Sequence, residues 1–249
     1  MRRFSWWLVA VLVLWSLWGA GAAAQSAPGL SIQVAPGEEP GRLAAALEIL
    51  AVLTVLSLAP SILILMTSFT RIVVVLSFVR NALATNQTPP TQLLVGLALF
   101  LTFFIMAPTW QAVYQDAVQP YLAGELSFQD ALTRGERPVR DFMYRFTREE
   151  DLALLLEASG APEPEDRESL PLYVLVPAFV LSELKSAFQM GFVLFLPFLV
   201  IDMVVASALM SMGMFMLPPV MISLPFKLLL FVLVDGWGMI VRSLVASYT

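Results

Sequence analysis

The sequence predicts an all-α membrane protein, with two long helical hairpins and a mainly helical, acidic, extracytoplasmic insert between them. Three observations lead there. Of 249 residues 59% are hydrophobic and 13% charged, with a mean hydropathy of +0.81, against about 25% charged residues in soluble domains. The apolar residues fall into two blocks, each a long stretch, a proline pair (Pro89-Pro90 or Pro218-Pro219) and a shorter stretch. Between the blocks, residues 109–171 hold 19 of the chain's 33 charges, 13 acidic and 6 basic.

Residues 1–24 read as a secretory signal: Arg2 and Arg3, an apolar run from Trp6 to Trp18, then Ala22-Ala23-Ala24, with cleavage expected between Ala24 and Gln25. The competing reading is an uncleaved anchor, but the run is shorter than the roughly 20 residues a span needs. Residues 25–42, rich in Pro and Gly and without apolar periodicity, predict a flexible extracytoplasmic lead. Residues 43–108 predict the first hairpin. An apolar stretch from Leu43 to Val79 is broken by Pro60, the turn-rich NALATNQTPP follows, and Gln92 to Pro108 is about one span long.

Residues 109–171 predict a periplasmic insert. FQDALTRGERPVRDFMYRF and REEDLALLLEASG have the pattern of amphipathic helices, the second led by acids and ended by Gly160, as helix polarity favours. Its acidic balance suits the outer side, because positive residues hold loops in the cytoplasm. Residues 172–249 predict the second hairpin. Leu172 to Leu217 would be roughly 69 Å as one helix, too long for a straight span of a core about 30 Å thick. Pro177 and Pro197 permit kinks, and Glu183, Lys185 and Gln189 suit lipid poorly. This helix is therefore expected to bend back or to stand partly outside the membrane.

Glu48, Arg71, Arg80, Glu183, Lys185, Asp202, Lys227, Asp235 and Arg242 interrupt the apolar blocks. A charge at the bilayer centre costs about 2.5 to 3.5 kcal/mol on insertion scales, so each should face protein or water. Two uses are open: an ion or proton pathway, or pairing between subunits of an assembly. The first reading makes Asp202 and Asp235 the carriers of a proton-coupled transporter. As a catalytic pair they lack the tyrosine and glycine framing of intramembrane aspartyl proteases. Ser207, Ser211, Gly213, Gly236 and Gly238 let helix backbones approach closely, within one subunit or between copies.

With no cysteine and no histidine, disulfides, thiolate or imidazole metal sites and Cys or Ser-His nucleophiles are excluded. There is no Gly-rich phosphate loop and no basic cluster with interleaved aromatics. No catalytic residue, cofactor, metal or nucleic-acid partner is expected.

The stretch MSMGMFMLPP places Met210, Met212, Met214 and Met216 at every second position before Pro218-Pro219. A spacing of two does not make one helical face. Methionine is unbranched and packs against many shapes; Gly213 adds freedom and the prolines stop the helix. A projecting loop is expected, whose side chains, one set per subunit, could close around a pore; ordinary packing is the plainer alternative.

The stretches TSFTRIVVVLSFVRNAL, QTPPTQLLVGLALFLTFFIMAP, LSELKSAFQMGFVLFLPFLVIDMVVASALMSMGMFMLPP and ISLPFKLLLFVLVDGWGMIVRSLV resemble the FliP family, the flagellar export-gate component of type III secretion. The resemblance implies a non-enzymatic channel subunit of the bacterial inner membrane and flagellar basal body. It implies a homo-oligomer, a pentamer, working with FliQ, FliR, FlhA and FlhB and conducting unfolded export substrates. It carries the gating role to Met214 and Met216, with Phe215 between them as a departure and Met210 and Met212 as weaker candidates. It further implies an ion pair between neighbouring subunits, Glu183 with Lys227.

Overall fold

The computed structural model describes residues 49–249 apart from 51, 52, 55, 56, 59, 86, 87, 161–163, 165 and 168. The expected signal, its cleavage point at Ala24 and Gln25, the 25–42 lead and Glu48 lie outside the described residues. The unit from Ala51 to Thr249 is the one considered below, and every regular element described in it is helical.

Helical residues 60–65 reach a short break at 66–68 before α1 (Phe69–Ala82). Pro60, where a break was expected, adjoins residue 59, which lies outside the described residues; the described break comes at 66–68, and threonine hydroxyls account for its position. Thr67 donates to the Leu63 carbonyl, and Thr70 to that of Ile64 at 2.6 Å, while the Phe69 N–H donates to Thr67 Oγ1 at 3.3 Å. Side chains that take backbone partners in this way compete with the helical ladder.

Helix α2 (Thr91–Ile105) packs on α1 and bends by 58° into α3 (Ala107–Val113), a π turn (Tyr114–Val118) and α4 (Gln119–Leu122). Next comes α5 (Phe128–Phe146), opened by Ser127, whose hydroxyl accepts the Asp130 N–H at 3.2 Å. Helix α6 (Glu149–Ser159) begins with three acids, Glu149, Glu150 and Asp151, at its positive end. It stops at Gly160, whose φ of 63° lies in the left-handed region that glycine adopts without penalty.

Helix α7 (Leu172–Ser211) runs for 40 residues through Pro177 and Pro197 without a break, roughly 60 Å at 1.5 Å per residue. Neither proline ends it, because α1, α5, α6 and α8 (Pro219–Leu233) pack along it, and tertiary packing supplies most helical stability in proteins. After α8 the chain turns by 62° at Val234-Asp235 into α9 (Gly236–Ala246). Among the described residues α7 is long and apolar enough to cross a membrane, and the count rises to three if each bent pair serves as one span.

The core has two parts. Ile72, Val75, Leu76 and Val79 of α1 meet Leu94 and Ala98 of α2, Ala187 of α7 and Ile240 and Leu244 of α9. Met106, Met143, Leu170, Leu175, Phe179 and Tyr248 form the second cluster. Each large side chain so buried contributes about 1.5 to 3 kcal/mol. At Gly191 of α7 the ring of Phe78 from α1 lies against the backbone, and a Cβ there would stand 2.6 Å from the ring Cγ.

Candidate functional site

Ser182, Glu183, Lys185, Ser186 and Gln189 of α7 each have a partner inside the chain. Arg71 from α1 grips the buried Glu183 with two nitrogens, Nε to Oε2 at 3.0 Å and Nη2 to Oε1 at 2.5 Å. Its Nη1 donates to the carbonyl and the hydroxyl of Ser247 at 3.1 and 3.0 Å. The Tyr248 hydroxyl donates to Glu183 Oε2, and the Tyr248 ring lies 4.1 Å from the guanidinium carbon. Burial, then the adjacent Glu183 charge, hold the Tyr248 phenol well above its ordinary value, so it stays a donor. One guanidinium thus ties α1, α7 and the segment after α9, with fork geometry that lysine could not reproduce.

Along the next face of α7, Ser182, Ser186 and Gln189 stand four and three residues apart. The backbone N–H of Arg148 donates to Ser182 Oγ at 2.9 Å, and its guanidinium reaches Ser186 Oγ at 3.3 Å and Gln189 Oε1 at 2.6 Å. Asp151, fully buried at the start of α6, accepts from Ser182 at 2.7 Å and from Lys185. Burial by itself would raise the Asp151 carboxyl. The hydrogen bonds from Lys185 and Ser182, with the charges of Lys185 and Arg148, outweigh it and hold the group below the usual carboxylate value.

A second buried cation closes the other end of α1. Lys227 of α8, 2% exposed, donates to Asp202 Oδ2 of α7 at 2.6 Å and to the Ala82 carbonyl at 3.1 Å. Ala82 is the last residue of α1, so the ammonium lies where a helix C-terminus favours positive charge. The Ser223 hydroxyl donates to the other oxygen of Asp202 at 2.5 Å.

These contacts redistribute the charges singled out in the sequence. Glu183 and Lys227, expected to pair between subunits, each have a partner within the chain, Arg71 and Asp202. Among the four residues expected as buried charges, Arg71 is buried, whereas Lys185 and Asp202 are partly open and Asp235 is 69% exposed. Lys185 lies open because it reaches outward over Asp151. Asp235 lies open because it occupies the break between α8 and α9, where it pairs with the exposed Arg242 at 3.1 Å. Asp202 and Asp235, the carriers of the alternative reading, pair with different cations, Lys227 and Arg242.

The methionine turn has a defined geometry. Helix α7 ends at Ser211; Gly213 takes φ 75°, its N–H donates to the Met210 carbonyl at 3.0 Å, and the Met214 N–H reaches back to the Leu209 carbonyl at 3.0 Å. This crossed pair of bonds is a Schellman ending, which satisfies carbonyls a helix C-terminus leaves free. The apolar side chains of this ending and beyond it are open: Met210, Met212, Met214 and Phe215 are exposed, and Met216 is 96% exposed.

Sequence reasoning missed Tyr248, Ser247, Asp151 and Arg148. For the last two a signal existed, since Ser182, Ser186 and Gln189 recur at the i, i+4, i+7 spacing of one helical face. For Tyr248 and Ser247 there was none, because their partner Arg71 lies 176 positions from Ser247.

Comparison with known proteins gives a consistent result. A family model described as the FliP family matches residues 52–244. The flagellar biosynthetic protein FliP of Bacillus subtilis (strain 168) is 56% identical over 217 residues, 87% of this chain and 98% of that protein. The protein of that name from Aquifex aeolicus is 48% identical over 92% of this chain and 95% of its own length. The one from Caulobacter vibrioides is 46% identical over 100% of this chain and 92% of its own. With the match covering most of the helical unit, including Arg71, Glu183, Lys227 and the methionine turn, the chain belongs to the FliP family.

Proposed function

We propose that the chain is the pore-forming subunit of the flagellar type III protein export gate. Copies of it assemble as a homo-oligomer, a pentamer on the family resemblance, together with FliQ and FliR, and adjoin FlhA and FlhB in the bacterial inner membrane. Unfolded flagellar subunits pass through the centre, and the methionine turn acts as a deformable seal. The observation that carries this reading is the turn itself: pliable apolar side chains held outward on an anchored Schellman ending. A soluble monomer rarely leaves a large contiguous apolar patch open. The turn therefore has an apolar counterpart, and the matching turn of a second copy is the natural one.

The open apolar faces elsewhere agree with an assembly in lipid. Phe100, Phe103 and Phe104 of α2, Met203 and Val204 of α7, and Val232 and Leu233 of α8 are all exposed on the single chain. Lipid tails or neighbouring helices would cover them. Because the charges of the first third of α7 are already paired, that part needs no lipid and can stand beside the membrane as the wall of a conduit. In this reading a Glu183–Lys227 contact between copies forms only by exchange with the Arg71 and Asp202 pairings inside each chain.

Conduction is passive. Thioether side chains with three rotatable bonds re-pack around a passing segment and close behind it, and Phe215 adds a stiffer ring to the closure. Shortening Met214, Phe215 and Met216 to alanine should raise ion leakage through the assembled gate in cells arrested without substrate. Unchanged leakage in that variant rejects the seal.

A further inference from the structure

We infer that the methionine turn is an oxidation-sensitive site, at which peroxide-class oxidants convert thioethers to sulfoxides and make the seal leak. The functional half of this inference rests on the seal proposed above; the chemical half rests on a contrast within the molecule. Met216 is 96% exposed and Met210, Met212 and Met214 are also open, whereas Met106 is 0% and Met143 1% exposed, packed among Phe179, Leu175 and Tyr248. Met203, Met221 and Met239 are open on the single chain too, but they lie within α7, α8 and α9, on apolar surfaces that lipid or neighbouring copies would cover. Among the described residues, Met212, Met214 and Met216 are the open methionines that lie outside the helices, on a turn that in the proposed seal borders the conduit and so stays within reach of a small oxidant; Met210 belongs to the last turn of α7.

The chemistry needs only a two-electron oxidant. A sulfur lone pair of the thioether attacks one oxygen of hydrogen peroxide; the S–O bond forms as the O–O bond breaks, and the departing hydroxide takes the remaining proton as water. Sulfur loses two electrons and peroxide gains them. The product is polar and chiral where the thioether was apolar. Several sulfoxides meeting on one axis would bring hydrogen-bond acceptors, and so water, into a seal that works by excluding it. The backbone of the turn would be unaffected, because the Gly213 and Met214 hydrogen bonds involve no sulfur. With no cysteine in the chain, methionine carries its sulfur oxidation.

The test uses the full chain in its membrane-assembled complex, treated with graded hydrogen peroxide and analysed by peptide mass spectrometry for added oxygen. The expected result is that Met212 and Met216 are modified well before Met106 and Met143 at each peroxide dose. Ion leakage should rise in step and fall again after treatment with the two methionine sulfoxide reductases. A variant with Met212→Leu, Met214→Leu and Met216→Leu keeps an apolar turn without oxidisable sulfur and should stay tight under the same peroxide. Equal oxidation rates at turn and core, or sulfoxide at the turn without a change in leakage, overturns the inference, as does a leucine variant that leaks as much as the parent. The seal has its separate test in the alanine variant, so failure of that reading is distinguishable from failure of this one.

Discussion

Between Val174 and Gln189, α7 is gripped by α1, α5, α6 and the segment after α9, and nearly every polar side chain there has a partner; Phe142 of α5 even sets its ring 5.9 Å from that of Phe179. From Phe192 to Met216 most of the large apolar side chains of the same helix and its terminal turn are exposed on the single chain. The two stretches divide the labour. Charges buried in a low-dielectric interior are strongly destabilising when left single, so the first stretch is specified pair by pair. Apolar side chains carry no such demand and can wait for lipid or another copy, which leaves the second stretch free to meet surfaces the chain does not itself contain.

The sharpest way to break this division is at its hub. Arg71→Ala would leave Glu183 in the interior without its cation and remove the donor to the Ser247 carbonyl, and breaking a buried pair from one side costs about 3 to 5 kcal/mol. Thermal unfolding in detergent should show a loss of that order, with Arg71→Lys recovering part of it. A variant as stable as the parent would mean that the gripped stretch is not held by this network.

A smaller effect is expected at the docking of α6. Asp151→Asn removes the acceptor charge for Lys185, and hydrogen bonds to charged groups are worth about 1.5 to 3 kcal/mol. The same group gives a pH dependence. Its folded value is lowered, so its contribution is fully present above the ordinary carboxylate value of about 3.9 and is lost as pH falls through the folded value. Protection of the α6 amides from hydrogen exchange, taken relative to the unfolded-chain rate at each pH, should therefore be high at neutral pH and fall only in strong acid. In Asp151→Asn this acid-dependent loosening should be much reduced, and an unchanged acid profile would count against Asp151 as the docking charge.

The smallest effect belongs to the open end. Met216→Ala removes a side chain that touches almost nothing in the chain, and its unfolding free energy should stay within about 0.5 kcal/mol of the parent. A substantial loss of stability would show that the turn is packed rather than presented, and would erase the contrast on which the seal depends.

The helical class was legible because hydropathy and proline pairs are local properties. So was the turn: two prolines after Gly213 and alternating methionines announce an ending wherever the rest of the chain lies. The polar side of α7 was half legible. Its residues are visibly unsuited to lipid, yet the sequence does not say who satisfies them, and pairing Glu183 with Lys227 is as reasonable on charge alone as pairing it with Arg71. The path of α7 was legible only as a choice between bending back and standing partly outside the membrane, because prolines permit a break without requiring one, and only the packing along the helix carries it through Pro177 and Pro197.

What the sequence alone determined, then, is the helical class, which stretches are apolar, and where an apolar turn must end a helix, since each follows from the solvation and backbone preferences of neighbouring residues. The tertiary structure decided which charge meets which: Arg71 with Glu183 across 112 positions and Lys227 with Asp202 and the end of α1. Coulombic attraction acts between any opposite charges, and only the packing of α1, α7 and α8 brings particular ones within hydrogen-bond distance while keeping water out.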